Sequence, residues 1–99
     1  MRYKISLLAS KDLENIWLYT FKKWSIEQAD RYLNLIMDEI EYVAQKPGSG
    51  FDFSLVRKDY YRTKIKSHII FYRIDKKNNI VEIIRILHQR MDIENRLGE

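Results

Sequence analysis

Residues 60–88 read YYRTKIKSHIIFYRIDKKNNIVEIIRILH, and the period of this stretch decides the fold. Tyr61, Thr63 and Ile65 alternate with Tyr60, Arg62, Lys64 and Lys66, which is the two-residue repeat of a strand with one covered face. His68–Ile74 and Ile80–His88 are richer in apolar residues, as central strands are. Ser67 supplies the first turn and Asp75-Lys76-Lys77-Asn78-Asn79 the second. Two registers fit that second turn. A Lys77-Asn78 centre sets Arg73 opposite Glu82, a favourable pair; an Asn78-Asn79 centre suits Asn at positive φ but sets Asp75 opposite Glu82.

Upstream, Pro47-Gly48-Ser49-Gly50 is the one strong loop signal, and before it the period is helical. Ala29, Leu33, Ile36, Met37, Ile40, Val43 and Ala44 form one stripe, with Glu27, Asp30, Arg31, Asn34, Asp38 and Glu41 opposite. Ser25 and Gln28 have capping-box spacing, and Lys46 precedes the proline that stops the helix. A preceding helix is predicted from Ser10, with Asp12 and Glu14 in its first turn, where the positive helix end favours them. Its stripe is Leu13, Ile16, Trp17, Thr20, Phe21 and Trp24. Trp24 abuts Ser25, so the helices form an antiparallel hairpin. The aromatics Trp17, Trp24, Tyr32 and Phe71 are assigned to core packing. Tyr3–Leu8 reads as a first strand, and Asp92–Leu97 as a last helical turn. The expected fold is α+β in the order β-α-α-β-β-β: one domain over residues 1–99, a helical hairpin packed on one face of a small, mostly antiparallel four-stranded sheet.

The 99 residues are 45% hydrophobic and 32% charged, with three Gly and one Pro, which is a globular composition. No cysteine is present, so disulfides and thiolate zinc sites are excluded. No run approaches the roughly 20 apolar residues of a membrane span, and Ile5–Ala9 is too short for a signal-peptide core; a soluble, cytosolic chain with no membrane association is expected. The formal net charge is +4. The first fifty residues are neutral, so the excess lies in the second half. It is densest where Arg57, Lys58, Arg62, Lys64, Lys66, Arg73, Lys76 and Lys77 meet only Asp59 and Asp75. Such a surface attracts polyanions or acidic protein segments, or else is a solvated face.

No phosphate loop, nucleophile motif or metal-ligand spacing is present, and no cofactor is expected. RNA cleavage needs a base, an acid and a cation for the phosphorane. Arg62, Arg73, Arg85, His88 and Arg90 offer the acid and the charge. Glu82 is the sole carboxylate in the last strand. On a regular strand it shares a face with His88 but lies about 20 Å away at ~3.3 Å per residue. Arg85 falls on the opposite face from His88 unless a bulge intervenes.

Tyr61-Arg62, Ser67–Arg73 and Val81–Asp92, which ends Ile86-Leu87-His88-Gln89-Arg90-Met91-Asp92, closely resemble the ParE branch of the RelE/ParE toxin family. Asp12–Trp17 and the Pro47–Gly50 turn are similar to the same family. The resemblance implies the β-α-α-β-β-β layout and the toxin half of a bacterial type II toxin–antitoxin pair. ParE-like toxins inhibit DNA gyrase, whereas RelE-like relatives cleave messenger RNA on the ribosome. A nuclease reading would rest on Arg62, Arg73, Arg85 and His88, and it lacks a convergent base. The resemblance further implies a hetero-oligomer with a cognate ParD-like antitoxin, whose tail is expected to be acidic and disordered when free. The groove along helix and sheet suits a partner helix or an added strand. The residues expected to contact target or partner are Arg57, Tyr60, Arg62, Lys64, Arg73, His88, Arg90 and Asp92. An inactivated relative that only binds antitoxin is the remaining alternative.

Overall fold

The computed structural model describes residues 1–91 and 96–97. Strand β1 (Arg2–Ile5) leads into helices α1 (Leu7–Lys23) and α2 (Ile26–Gln45). A 3-10 turn at Pro47–Ser49 follows, then β2 (Phe51–Asp52), β3 (Tyr60–Ile65), β4 (His68–Asp75) and β5 (Ile80–His88). The strands form one five-stranded sheet in the order β1-β5-β4-β3-β2. β1 runs parallel to β5, and every other pairing is antiparallel. The α+β class and the element order match the expectation. The strand count does not: Phe51 and Asp52 pair with Arg62 and Tyr61, an edge segment too short to carry a period.

α1 starts earlier than Ser10. Ser6 is extended and its hydroxyl accepts from Ala9 N–H at 3.0 Å, so it caps a helix that begins at Leu7. The strand is correspondingly cut at Ile5. The same Ser6 hydroxyl donates to Ile84 O, and Ser6 N–H donates to Ile83 O, which extends the β5 edge pairing past β1. Ser25 caps α2 as predicted, accepting from Gln28 N–H. The predicted α2 stripe is the buried one: Ala29, Ile36, Ile40, Val43 and Ala44 face the sheet.

The helix-facing core joins Ile36, Ile40 and Val43 to Ile70, Tyr72, Ile74, Val81, Ile83 and Ile86. The Tyr72 hydroxyl donates to Pro47 O at 2.8 Å and accepts from Gly50 N–H at 3.1 Å. Burial raises its pKa to about 12. Gly50 is glycine for room, not for torsion: a Cβ there would lie 2.1 Å from the Tyr72 hydroxyl. A second cluster, Ile69, Phe71, Leu87 and Leu97 with Phe53 and Tyr60, covers part of the opposite sheet face. Arg96 and Leu97 are helical, in keeping with a last turn, and the Arg57 guanidinium donates to Leu97 O; the rest of that expected turn, and Asp92 with it, lies outside the described residues.

The β4–β5 register sets Arg73 opposite Glu82, which selects the Lys77-Asn78 centre, with Asn79 at φ 56°. Between Phe71 and Tyr72 the pairing slips by one residue, since Phe71 meets Arg85 while Tyr72 meets Ile83. Ile84 is therefore a bulge. It reverses the parity of the strand, so Val81 and Ile83 face the helices before it and Ile86 after it. Glu82 and His88 are thereby placed on opposite faces, not on one face as a regular strand would put them.

The apolar stripe of α1 is buried over only part of its length. Ile16 is buried, but Phe21 and Trp24 are 40% and 69% exposed, because the helix continues beyond the strand ends. Trp24 is thus not a core residue. Trp17 is half-buried, stacks on Phe21 at 5.3 Å and donates from its indole N–H to Asp30, tying the helices together.

Candidate functional site

The candidate residues fall into three places. The first is the sheet face away from the helices. The register sets Tyr60 opposite Arg73, Arg62 opposite Phe71 and Lys64 opposite Ile69, so these side chains share that face. The Arg62 guanidinium lies 4.7 Å from the Phe51 ring centroid and 5.5 Å from that of Phe53, a double cation–π contact. Its Nε is buried and has no hydrogen-bond partner among the described residues. Arg73 reaches Glu82 at 3.2 Å and Asp75 at 3.7 Å, so much of its charge is answered locally. Arg57 and Lys64 are exposed at the margin. Beside them stand exposed apolar groups: Phe51 at 64%, Val56 at 42% and Leu55 fully exposed. A mixed apolar and cationic rim of this kind fits a protein partner with acidic and apolar side chains.

The second place is the free edge of β5. Arg85 is 7% exposed. Its Nε donates to Asp12 Oδ2 at 2.8 Å, and a terminal nitrogen donates to Asp12 Oδ1 at 3.1 Å. Asp12 Oδ2 also accepts from Ile86 N–H at 2.9 Å. With α1 starting at Leu7, Asp12 sits in the second turn and seals a strand edge instead of serving the helix end. Arg85 is held inside the fold by this fork, and a reacting phosphate would have to displace Asp12 to reach it. The Asp12–Arg85 partnership spans most of the chain, and no local spacing announces it.

The third place is a groove of about 890 Å3 on the helix side of the sheet end. His68 and His88 are cross-strand partners with rings 5.3 Å apart, edge to face. The Tyr32 hydroxyl is 2.6 Å from His68 Nδ1. Burial, with the neighbouring His88 second, lowers the His68 pKa to about 4; Asp12 opposes the shift. Burial also raises the Tyr32 pKa. His88 Nδ1 accepts from Arg90 N–H at 3.1 Å, so the neutral ring carries its proton on Nε2. His68 and His88, at the ends of two different strands, thus meet because of the Ile84 bulge: carried on regularly, the Arg73–Glu82 register would set His68 opposite Leu87. The Arg73–Glu82 register was legible in the sequence and brings the strand ends near each other; the bulge that sets the two imidazoles on one face was not.

The set Arg62, Arg73, Arg85 and His88 is therefore not assembled around one site. By register Arg62, Arg73 and Arg85 all belong to the face away from the helices, Arg62 and Arg85 both opposite Phe71, but Arg85 is drawn to the strand edge by Asp12; His88 is on the helix side. Arg90 lines the groove with His88, apart from Arg57, Tyr60, Arg62, Lys64 and Arg73. Among the described residues no group of three His, Asp or Glu is placed to hold a metal, and no described helix is long and apolar enough to cross a membrane.

The family model described as ParE toxin of type II toxin-antitoxin system, parDE, matches residues 3–93. A protein named Toxin ParE1 from Caulobacter vibrioides is 40% identical over 96 residues, covering 97% of both chains. A Toxin ParE1 from Mycobacterium tuberculosis is 35% identical over the same coverage. Among solved structures, one titled as the chromosomal ParDE system of P. aeruginosa superposes with a TM-score of 0.76 at 17% identity, covering 89% of this chain and 95% of that one; this likeness concerns the fold. The match spans both helices and all five strands and so rests on the whole layout rather than on one strand ending: the chain belongs to the ParE family, the toxin component of type II toxin–antitoxin systems.

Proposed function

We propose that this ParE-family chain inhibits DNA gyrase by binding it, breaks no covalent bond, and works in the cytoplasm. Its cognate antitoxin silences it in a hetero-oligomer by covering the same surface. That surface is the sheet face bearing Arg57, Tyr60, Arg62, Lys64 and Arg73, extended at the sheet end by His88 and Arg90; Asp92, expected from the sequence to join it, lies outside the described residues. The observation that carries this reading is that the nuclease candidates are not assembled around one site. Arg85 is committed to Asp12 and Arg73 to Glu82, while Glu82 and His88 are turned to opposite faces by the Ile84 bulge. General acid–base cleavage requires those groups around one phosphate, whereas inhibition by occupancy requires a complementary surface. Exposed Phe51, Leu55 and Val56 beside the cations suit an acidic antitoxin segment carrying apolar anchors.

A supercoiling assay with purified full-length chain and gyrase tests this reading. Inhibition is expected from the unaltered chain and is expected to be lost when Arg62→Ala, Arg73→Ala and Arg90→Ala are combined. Full inhibition by that triple variant removes this surface from the reading. Cleavage of ribosome-bound message in primer extension, without inhibition of gyrase, replaces it with an endoribonuclease.

A further inference from the structure

The groove at the sheet end carries groups that the proposed protein-binding face does not use, besides the His88 and Arg90 it shares with that face. Lys23, Lys66 and Arg90 line it, and no aspartate or glutamate does among the described residues. Asp12, whose charge acts on His68, is already forked to Arg85 and Ile86 N–H. Tyr19 and Trp24, 63% and 69% exposed, present flat rings at its rim. Lys23 Nζ stands 5.6 Å from the Tyr19 centroid and 5.9 Å from that of Trp24, so a cation sits beside the aromatic platform. Hydrogen-bonding groups stand among its largely apolar lining. His68, held against Tyr32, is uncharged at neutral pH, and His88 offers Nε2–H because Arg90 N–H occupies Nδ1. At about 890 Å3 the space matches known ligand sites, which run roughly 300–1,000 Å3.

Cations beside exposed aromatic faces, with polar edges below, are the combination that holds an unpaired nucleotide: phosphate on the cations, base stacked on the rings. A helical acidic peptide would match the charge and the apolar part of the lining; the two imidazoles and the phenol add polar edges that a base can hydrogen-bond and that an apolar helix face leaves unused. We propose that this groove binds single-stranded nucleic acid, one or two nucleotides at a time, with Trp24 and Tyr19 as the stacking platform and Lys23, Lys66 and Arg90 as phosphate contacts. The site lies on the helix side and shares His88 and Arg90 with the proposed target surface, so variants at Trp24 and Lys66, outside that surface, separate the two readings.

The test is fluorescence anisotropy of the full-length chain with 5′-fluorescein-labelled dT12 and, separately, rU12. Binding is expected on the order of 10–100 µM at physiological salt, in the range of sequence-independent contacts, and is expected to quench tryptophan fluorescence. Trp24→Ala and Lys66→Asn are each expected to weaken it about tenfold. Both positions are exposed, and Asn tolerates the positive φ of Lys66, so unchanged circular dichroism and melting are expected to accompany the loss. Arg62→Ala with Arg73→Ala, on the opposite face, is expected to leave the affinity within about twofold. Equal affinity for dT12 and rU12 assigns the shared phosphate-and-base chemistry; preference for one assigns the polymer. The proposal is overturned if neither oligonucleotide binds in this range, if the Arg62/Arg73 variant loses as much as the groove variants, or if a capped hexaglutamate peptide displaces the oligonucleotide at comparable concentration.

Discussion

Asp12 carries three hydrogen bonds that join α1 to β5: two from the Arg85 guanidinium and one from Ile86 N–H. Removing a partner from a buried ion pair costs far more than the pair contributes net, because the remaining polar groups keep their desolvation penalty. Asp12→Ala is therefore expected to lose about 3 kcal/mol in urea denaturation. Asp38→Ala on the exposed face of α2 should stay within about 0.5 kcal/mol. His68 gives a pH signature. Its folded pKa, about 4, lies below the ordinary value of 6.5, so the unfolded chain takes up a proton first as pH falls. The stability from the neutral, buried ring is complete above pH 6.5 and is lost progressively towards pH 4. The melting temperature is expected to fall across that window, and His68→Gln is expected to flatten the fall. An unchanged slope in the variant would mean that other groups produce it.

At the scale of elements, the join between β1, α1 and β5 turns on Ser6. One hydroxyl caps α1 through Ala9 N–H and donates to Ile84 O at the bulge. Ser6→Ala removes both, with an expected cost of about 1–2 kcal/mol, read as a lower denaturant midpoint at unchanged slope. α1 itself shows what a period can and cannot say. The spacing of Leu13, Ile16, Trp17, Thr20, Phe21 and Trp24 identifies a helix and its apolar stripe. How far the sheet extends beneath that stripe is a separate matter, and Trp24 ends in solvent. The bulge at Ile84 is similar. Ile80–His88 is visibly a strand, but one inserted residue reverses its faces, and nothing in Glu82-Ile83-Ile84-Arg85 marks where the insertion falls.

For the whole molecule, the +4 charge sits mostly on the β2–β4 side of the fold, where Arg57, Lys58, Lys64 and Lys66 are exposed. Such a field accelerates encounter with an acidic partner and is screened by salt over about 10 Å at 0.1 M. If the antitoxin docks on the proposed face, its association rate in stopped-flow should fall by about tenfold or more between 0.05 and 0.5 M salt, with dissociation changing much less. A rate that ignores salt would place the docking site on the apolar surfaces instead.

The sequence by itself determined the elements and their order, the two-residue edge strand β2 excepted, because the helical and strand periods, the Ser25 cap and the Pro47 stop are local properties of neighbouring residues. It also determined the family resemblance, and the Arg73–Glu82 register was already one of the two its turn allowed. The tertiary structure alone decided which chemistry-bearing side chains meet. Asp12 and Arg85, or Tyr32, His68 and His88, come together through sheet register, a bulge and the overlap of helix and strand ends. Those depend on packing between segments far apart in the chain, and packing energy leaves no mark in the spacing of either segment alone.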